Sequence, residues 1–63
     1  MTIGARLRDE RARLGVSQTE LANVCGIAKN TQLNYEKDER SPDAPYLLLA
    51  NKAGVDVHYV LFG

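Results

Sequence analysis

The sequence predicts a compact all-α domain of five short helices, and three observations support this fold class. The chain has 63 residues, of which 44% are hydrophobic, which is enough for one small domain over residues 1–63 and no more. Apolar residues recur at the three- and four-residue spacing of helix faces. Capping residues and glycines divide the chain into five segments of helical length.

The first helix is predicted over residues 3–14. Thr2 is suited to be its N-cap, and Gly15 supplies the left-handed residue that ends it. Glu10 falls on the apolar stripe of this helix. We therefore expect Glu10 near the edge of the core or paired with a cation.

The second and third helices are predicted from a capping box and a short turn. The second opens at Ser17 with the sequence Ser-Gln-Thr-Glu, in which the Ser17 hydroxyl and the Glu20 carboxylate each satisfy a free amide of the first turn. Gly26 ends this helix. A turn of a few residues then leads into a third helix over about residues 28–37.

The fourth and fifth helices are each predicted from an aspartate cap. Asp43 precedes a helix in which Pro45 is the second residue, a position where no intrahelical amide is lost. Residues 47–50 are expected to supply its buried surface, and Gly54 closes it. Asp56 caps the last short helix. The apolar residues of that helix are Val57, Val60, Leu61 and Phe62.

Composition excludes several classes of protein. The lone Cys25 allows no intramolecular disulfide and fits a reducing compartment. The longest apolar run, residues 46–50, is far shorter than a membrane span. Nucleophile–base pairs, metal-ligand clusters and phosphate-binding glycine loops are missing. The sequence thus predicts a cytoplasmic protein that is not an enzyme and needs no cofactor.

The net charge is zero, with eight basic and eight acidic residues, but the charges are unevenly placed. Residues 1–13 hold four arginines against two acids, whereas residues 36–43 hold four acids against two cations. Neutrality by itself favours neither nucleic acid nor membrane as a partner. We expect Arg6, Arg8 and Arg13 mainly on a solvated face; the alternative is that one of them contacts phosphate.

The stretch from residue 18 to 37 has the plan of a helix-turn-helix: helix, short turn with Gly26, helix. At about 100° per residue, one arc of the third helix is free of carboxylates and rich in amides and lysines. Its members are Lys29, Asn30, Leu33, Asn34 and Lys37. Asparagine matches an adenine edge and lysine reaches guanine or phosphate, so this arc is a candidate DNA-reading surface. The alternative is a plain solvated face or an αα-hairpin of another purpose.

The ordered motifs resemble the Xre-type helix-turn-helix family, the DNA-binding domain of phage repressors and Cro proteins. The matching segments are Ile3-Gly4-Ala5-Arg6-Leu7-Arg8, Leu14-Gly15-Val16-Ser17-Gln18-Thr19-Glu20-Leu21-Ala22, Gly26-Ile27, Asn34-Tyr35-Glu36-Lys37, Arg40-Ser41-Pro42 and Ala53-Gly54-Val55-Asp56-Val57. They cover the chain from Thr2 to Phe62.

This resemblance implies a lambda-repressor-like fold whose second and third helices dock on double-stranded DNA. Base readout would belong to Gln18, Lys29, Asn30, Leu33 and Asn34. Phosphate contacts would belong to Arg11, Thr19, Lys37 and Arg40. The resemblance also implies that Arg11 pairs with Glu36.

The chain departs from the family pattern at several positions. Ala28 stands where members carry Ser or Thr, so the third helix is expected to lack its N-cap. The missing cap should lower the stability of this helix by about 1 kcal/mol. Gln32 faces inward in place of an aliphatic residue. Leu33 either contacts a thymine methyl or is buried by a small rotation of the helix. Asp38 replaces the usual glycine, and aspartate tolerates left-handed φ better than most residues.

The sequence therefore predicts a prokaryotic or phage transcriptional regulator, with repressor as the favoured role, acting at the bacterial nucleoid. A weak homodimer through the fifth helix would bind a palindromic operator. Tyr59 and Phe62 are either core or dimer contacts. The chain stops just past the fifth helix, which would also fit a domain of a longer protein. The alternative function is a protein-interaction module without DNA binding; neither function involves a membrane or a small-molecule substrate.

Overall fold

Five helices and no strand form the chain in the computed structural model, which describes all residues 1–63. The helices are α1 (Ile3–Leu14), α2 (Gln18–Val24), α3 (Lys29–Glu36), α4 (Ala44–Lys52) and α5 (Val57–Phe62). The predicted all-α class with five helices is confirmed. The domain measures 25 × 23 × 21 Å, with a Cα radius of gyration of 9.9 Å.

Four of the five helices begin at a side-chain cap. The cap residues are Thr2, Ser17, Asp43 and Asp56. At Ser17 the capping box is complete, since the hydroxyl accepts from the Glu20 amide and the Glu20 carboxylate accepts from the Ser17 amide. The exception is α3, whose N-cap Ala28 makes no side-chain hydrogen bond. These short-range interactions explain why the helix boundaries follow from the sequence.

Two turns with positive φ position α3. Gly26, at φ 68°, reverses the chain between α2 and α3. Asp38, at φ 62°, is the only non-glycine residue in the left-handed region, and its carboxylate accepts hydrogen bonds from the Thr2 hydroxyl and the Gly4 amide. Both hydrogen bonds lower the pKa of Asp38. They tie the start of α1 to the turn that follows α3, and this compensates the strained conformation.

The close approach of α1 to the end of α3 explains the glycine at position 4. A Cβ on Gly4 would lie 2.5 Å from the Tyr35 carbonyl oxygen and 2.7 Å from that of Glu36. Any larger residue would push the two helices apart, so the packing requires glycine here.

Eight residues form one hydrophobic core, six from the five helices and two from the turns that follow α2 and α4. They are Leu7, Leu21, Cys25, Tyr35, Tyr46, Ala50, Val55 and Val60. The rings of Tyr35 and Tyr46 pack edge to face, with centroids 4.9 Å apart. Two polar residues, Glu10 and Gln32, are buried beside this core, and each has hydrogen-bond partners.

Some predicted core residues lie on the surface instead. Leu48 is 67% exposed and Leu49 38% exposed, so the expectation that all of residues 47–50 are buried is wrong. Successive helix positions differ by about 100°, and α4 has the domain on one side only. Phe62 is 73% exposed and packs against His58, which rules it out as a core residue.

Two of the three arginines that were expected on a solvated face connect α1 to α5 and to the turn before it. Arg6 donates to the carbonyls of Val60 and Leu61, and Arg13 donates to the Gly54 carbonyl and the Glu10 carboxylate. The solvated assignment is therefore wrong for Arg6 and incomplete for Arg13. None of the five helices has the length and apolar character needed to cross a bilayer.

Candidate nucleic-acid interface

The predicted reading face of α3 points away from the core. Lys29, Asn30 and Lys37 are exposed, while Leu33 and Asn34 are half-buried. The opposite side of the helix faces inward, with Gln32 at 0% and Tyr35 at 2% exposure. The structure thus brings these five residues onto one accessible face. Leu33 has not rotated into the core.

A hollow lies beside this face, between α1, the start of α2 and α3. We call it the α1–α3 hollow; its volume is about 340 Å³. It is lined by Arg8, Arg11, Gln18, Leu33, Glu36 and Lys37. Three of these side chains are cationic and one is a carboxylate. The hollow therefore carries net positive charge on a protein whose total charge is zero.

Glu36 is the centre of a hydrogen-bond network at the base of the hollow. Arg11 binds its carboxylate with two parallel bonds, from Nε at 2.8 Å and from Nη2 at 3.0 Å. Gln18 donates from Nε2 at 3.3 Å, and Gln32 donates from Nε2 at 2.8 Å. The Glu36 side chain is only 3% exposed, so the carboxylate depends on these donors for its solvation.

These donors decide the charge state of Glu36. Burial acts to raise the pKa of its carboxyl, but the hydrogen bonds from Arg11, Gln32 and Gln18 outweigh burial and hold the pKa below its ordinary value of 4.5. Glu36 is therefore ionised at neutral pH and neutralises Arg11 locally. The excess positive charge of the hollow comes from Arg8 and Lys37.

Arg11 is held rigidly yet keeps donors to spare. Besides its two bonds to Glu36, its Nη1 donates to the Val16 carbonyl at 3.1 Å. Three of the five N–H groups of a guanidinium are thus used, and the side chain remains 17% exposed. A planar, fixed guanidinium with unused N–H groups at the edge of a cationic hollow is suited to bind a phosphate oxygen.

Two predicted phosphate contacts lie outside the hollow. Thr19 is exposed in the first turn of α2. Arg40 is exposed in the loop after α3, with its guanidinium 6.0 Å from the centre of the Tyr35 ring. The structure therefore brings Arg11, Gln18, Leu33 and Lys37 together around the hollow, whereas Thr19 and Arg40 lie on exposed surface elsewhere.

Sequence reasoning did not assign Arg8 to the candidate interface, although it left phosphate contact by one of Arg6, Arg8 and Arg13 as an alternative. Arg8 lines the hollow, and its position one helical turn before Arg11 could have indicated this. Sequence reasoning also missed the contact between α4 and α3. The bond between the Tyr46 hydroxyl and Gln32 joins residues 14 positions apart, on α4 and α3, and no sequence pattern signals it.

An apolar groove lies between α4 and α5, away from the reading face of α3. Its volume is about 350 Å³, and it is lined by Ala44, Leu47, Leu48, Asn51 and Val57. Leu48, which lines the groove, is 67% exposed, so a large apolar side chain meets solvent there.

Comparison with known proteins agrees with this geometry. Residues 7–59 match the model of a family described as helix-turn-helix. Over 62 residues, 97% of this chain and 49% of the relative, the chain is 40% identical to the HTH-type transcriptional regulator ImmR of Bacillus subtilis (strain 168). Over 38 residues, 60% of this chain and 34% of the relative, it is 45% identical to the cryptic phage CTXphi transcriptional repressor RstR of Vibrio cholerae. The chain spans less than half the length of either relative, and no solved structure matches it.

Proposed function

The chain belongs to the helix-turn-helix family of transcriptional regulators, and we propose that it is a repressor that binds a specific sequence of duplex DNA. The observation that carries this proposal is the pairing of two features on one side of the domain. The outward face of α3 presents amides and lysines without a carboxylate, and it adjoins a hollow with three cations. A bacterial or phage regulator of this kind would act at the nucleoid, in the cytoplasm.

We assign base readout to the outward face of α3 and the start of α2. Asn30 and Asn34 can each offer a donor and an acceptor to an adenine edge, and Lys29 can reach the acceptors of guanine. Leu33 is half-buried and accessible from the hollow, which suits contact with a thymine methyl. Gln18 completes the set, with its carbonyl oxygen free to accept while its amide donates to Glu36.

We assign phosphate contacts to cations and a hydroxyl around this face. Arg11 and Lys37 line the hollow, and the exposed Arg40 and Thr19 would extend the contact along the backbone. Because each phosphate neutralised releases counterions, binding should weaken steeply as salt rises.

One recognition helix contacts few base pairs, so useful specificity requires two copies on half-sites about 34 Å apart. We propose a weak homodimer on a palindromic operator, formed through α5. The exposure of Phe62 and the apolar groove beside Val57 support this part of the chain as the contact. The operator should then show two-fold symmetry.

Selection of bound sequences from a random duplex pool tests the function directly. We expect a palindromic motif whose half-sites are one helical turn apart. Asn34→Ala or Asn30→Ala should lower affinity for the enriched duplex by about 1–3 kcal/mol and relax preference at one position. Asn23→Ala, an exposed asparagine of α2 outside the hollow, is the matched control and should bind as the unchanged protein does.

The second candidate is a protein-interaction module that keeps the fold without binding DNA. Zero net charge and the apolar Leu33 in the hollow favour it. Failure to bind any duplex at about 50 mM salt, where electrostatic attraction is strong, would support this candidate and exclude the repressor.

A further inference from the structure

Gln32 occupies a position in the core where a hydrocarbon side chain would fit. It is fully buried, at 0% exposure, on the inward side of α3. Its Oε1 accepts from the Tyr46 hydroxyl at 2.6 Å, and its Nε2 donates to Glu36 at 2.8 Å. Tyr46 is itself 1% exposed. An amide thus links the hydrophobic core to the base of the α1–α3 hollow.

The direction of these hydrogen bonds is set by chemistry. An ionised carboxylate only accepts, so Gln32 must present its amide nitrogen to Glu36. Its oxygen is then turned to Tyr46, whose hydroxyl must donate. The result is a chain of three side chains from α4 to the end of α3. It meets the bonds from Arg11 and Gln18 at the same carboxylate.

Stability does not explain the choice of glutamine. Burying an amide costs desolvation free energy that its hydrogen bonds only offset, and a buried hydrogen-bonded pair can often be replaced as a whole by apolar side chains of similar shape without loss of stability. A domain of 63 residues has little core to spare. The retained amide points to a role in fixing the geometry of Glu36.

We propose that Gln32 and Tyr46 are positioning residues, which hold the Glu36 carboxylate in the one orientation that aims Arg11 and Gln18 at DNA. This proposal rests on the proposed function. Without the hydrogen bonds from Tyr46 to Gln32 and from Gln32 to Glu36, which together form a relay, Glu36 can rotate about its side-chain torsions. The Arg11 guanidinium that Glu36 holds then moves with it. Gln32 and Tyr46 touch no DNA themselves; they act through Glu36.

The sharpest test compares Tyr46→Phe with Tyr35→Phe. Each variant loses one phenolic hydroxyl from the same ring pair, but only Tyr46 donates to Gln32. Tyr46→Phe should weaken binding to the duplex enriched by selection roughly two- to tenfold, the worth of one hydrogen bond, under conditions where both variants are fully folded. Tyr35→Phe should bind as the unchanged protein does.

Two readouts in the free protein separate positioning from packing. In Tyr46→Phe the Arg11 Nε–H should exchange faster with solvent, as followed by NMR. In Gln32→Leu the pKa of Glu36 should rise, because one of its three donor residues is lost. Gln32→Leu should also lower the unfolding free energy, because the buried Tyr46 hydroxyl loses its acceptor and Glu36 loses one donor. Its specific binding is therefore compared under conditions where the variant is fully folded.

Equal DNA affinity for Tyr46→Phe and Tyr35→Phe would overturn the proposal, and so would unchanged Arg11 exchange in Tyr46→Phe. If Gln32→Leu does not fold, Tyr46→Phe carries the test alone. If no duplex is enriched for the unchanged protein, the proposed function fails. Faster Arg11 exchange in Tyr46→Phe would in that case still support the relay as the device that orders Arg11.

Discussion

Two short helices, α3 and α5, pack on α1, and each is fastened through a buried glutamate that an arginine of α1 binds. For α3 the glutamate is its own Glu36, bound by Arg11. For α5 the glutamate is Glu10 of α1, which Arg13 binds from three residues later in the same helix. The Oε1 atom of Glu10 also accepts a hydrogen bond from the Asp56 amide, at the start of α5, at 2.7 Å. The same residue types thus form two ion pairs, here called the α3 fastening (Arg11 with Glu36) and the α5 fastening (Arg13 with Glu10), in different surroundings.

The difference lies in how much of each helix is held. Helix α5 is fixed at both ends, since Asp56 caps its start and Arg6 binds the carbonyls of its last turn. Helix α3 is held in its middle by the hydrogen bond from Tyr46 to Gln32 and at its end through Glu36, but Ala28 leaves its start without a side-chain cap. That uncapped turn carries Lys29 and Asn30, two of the proposed base-reading residues. We therefore expect local stability to be lower where the domain is proposed to meet a ligand, as is common for binding elements.

The two pairs also differ in their exposure to water. The arginine that binds Glu36 is 17% exposed, whereas the one that binds Glu10 is 55% exposed. Solvent screening weakens the second pair, so the α3 fastening should be the stronger of the two.

Acid should have the largest effect, because it acts on both glutamates at once. The hydrogen bond from Arg13 lowers the pKa of Glu10, and the donors to Glu36 outweigh burial and lower its pKa as well. A lowered folded-state pKa means that the stabilisation is present above the ordinary value of 4.5 and is lost as pH falls through the folded-state values. Urea unfolding followed by circular dichroism should give midpoints that fall steadily below pH 4.5. A midpoint unchanged down to about pH 3 would contradict the role of both pairs.

Glu36→Ala should be the most destabilising single substitution. It leaves Arg11 and the Gln32 amide without their acceptor in a largely buried site, at a cost of about 3 kcal/mol in unfolding free energy. Urea unfolding at neutral pH measures the loss. Glu39→Ala removes an exposed carboxylate three residues later and should change stability by less than about 0.5 kcal/mol. Similar losses in the two variants would show that the Glu36 network adds little.

Glu10→Ala should cost less, about 1–2 kcal/mol, because Arg13 can be solvated and chiefly the Asp56 amide loses its partner. The slope of DNA affinity against salt should stay unchanged, since Glu10 lies at the α5 side and away from the α1–α3 hollow. A loss larger than that of Glu36→Ala would reverse the ranking of the two fastenings. A changed salt slope would show that α5 contributes phosphate contacts.

Ala28→Ser should have the smallest effect and the opposite sign. A serine hydroxyl can accept from a first-turn amide of α3, which should stabilise the domain by about 1 kcal/mol. Ala44→Ser places the same side chain at the first residue of α4, where Asp43 already caps the helix, and should be nearly neutral. Equal thermal midpoints for the two variants would show that the start of α3 is not limited by its missing cap.

Local interactions made much of the fold predictable. The bounds of α1 agree with the prediction, and those of α3 differ by one residue at each end. Helix α1 is delimited by residues a few positions apart, such as Thr2 with the Ala5 amide, whereas α3 lies between the turns at Gly26 and Asp38. The amide- and lysine-rich face of α3 was predictable for the same reason, because helical periodicity by itself places its members together.

What the sequence by itself determined is therefore the set of helices, the uncapped start of α3 and the family to which the chain belongs. Tertiary structure alone decided which of the leucines of α4 are exposed, that Arg6 binds the end of α5, and that Tyr46 reaches Gln32. These contacts join residues 14 to 55 positions apart. No local periodicity encodes such distances; they follow from how five amphipathic helices share one small core, so they become visible only when the chain is folded.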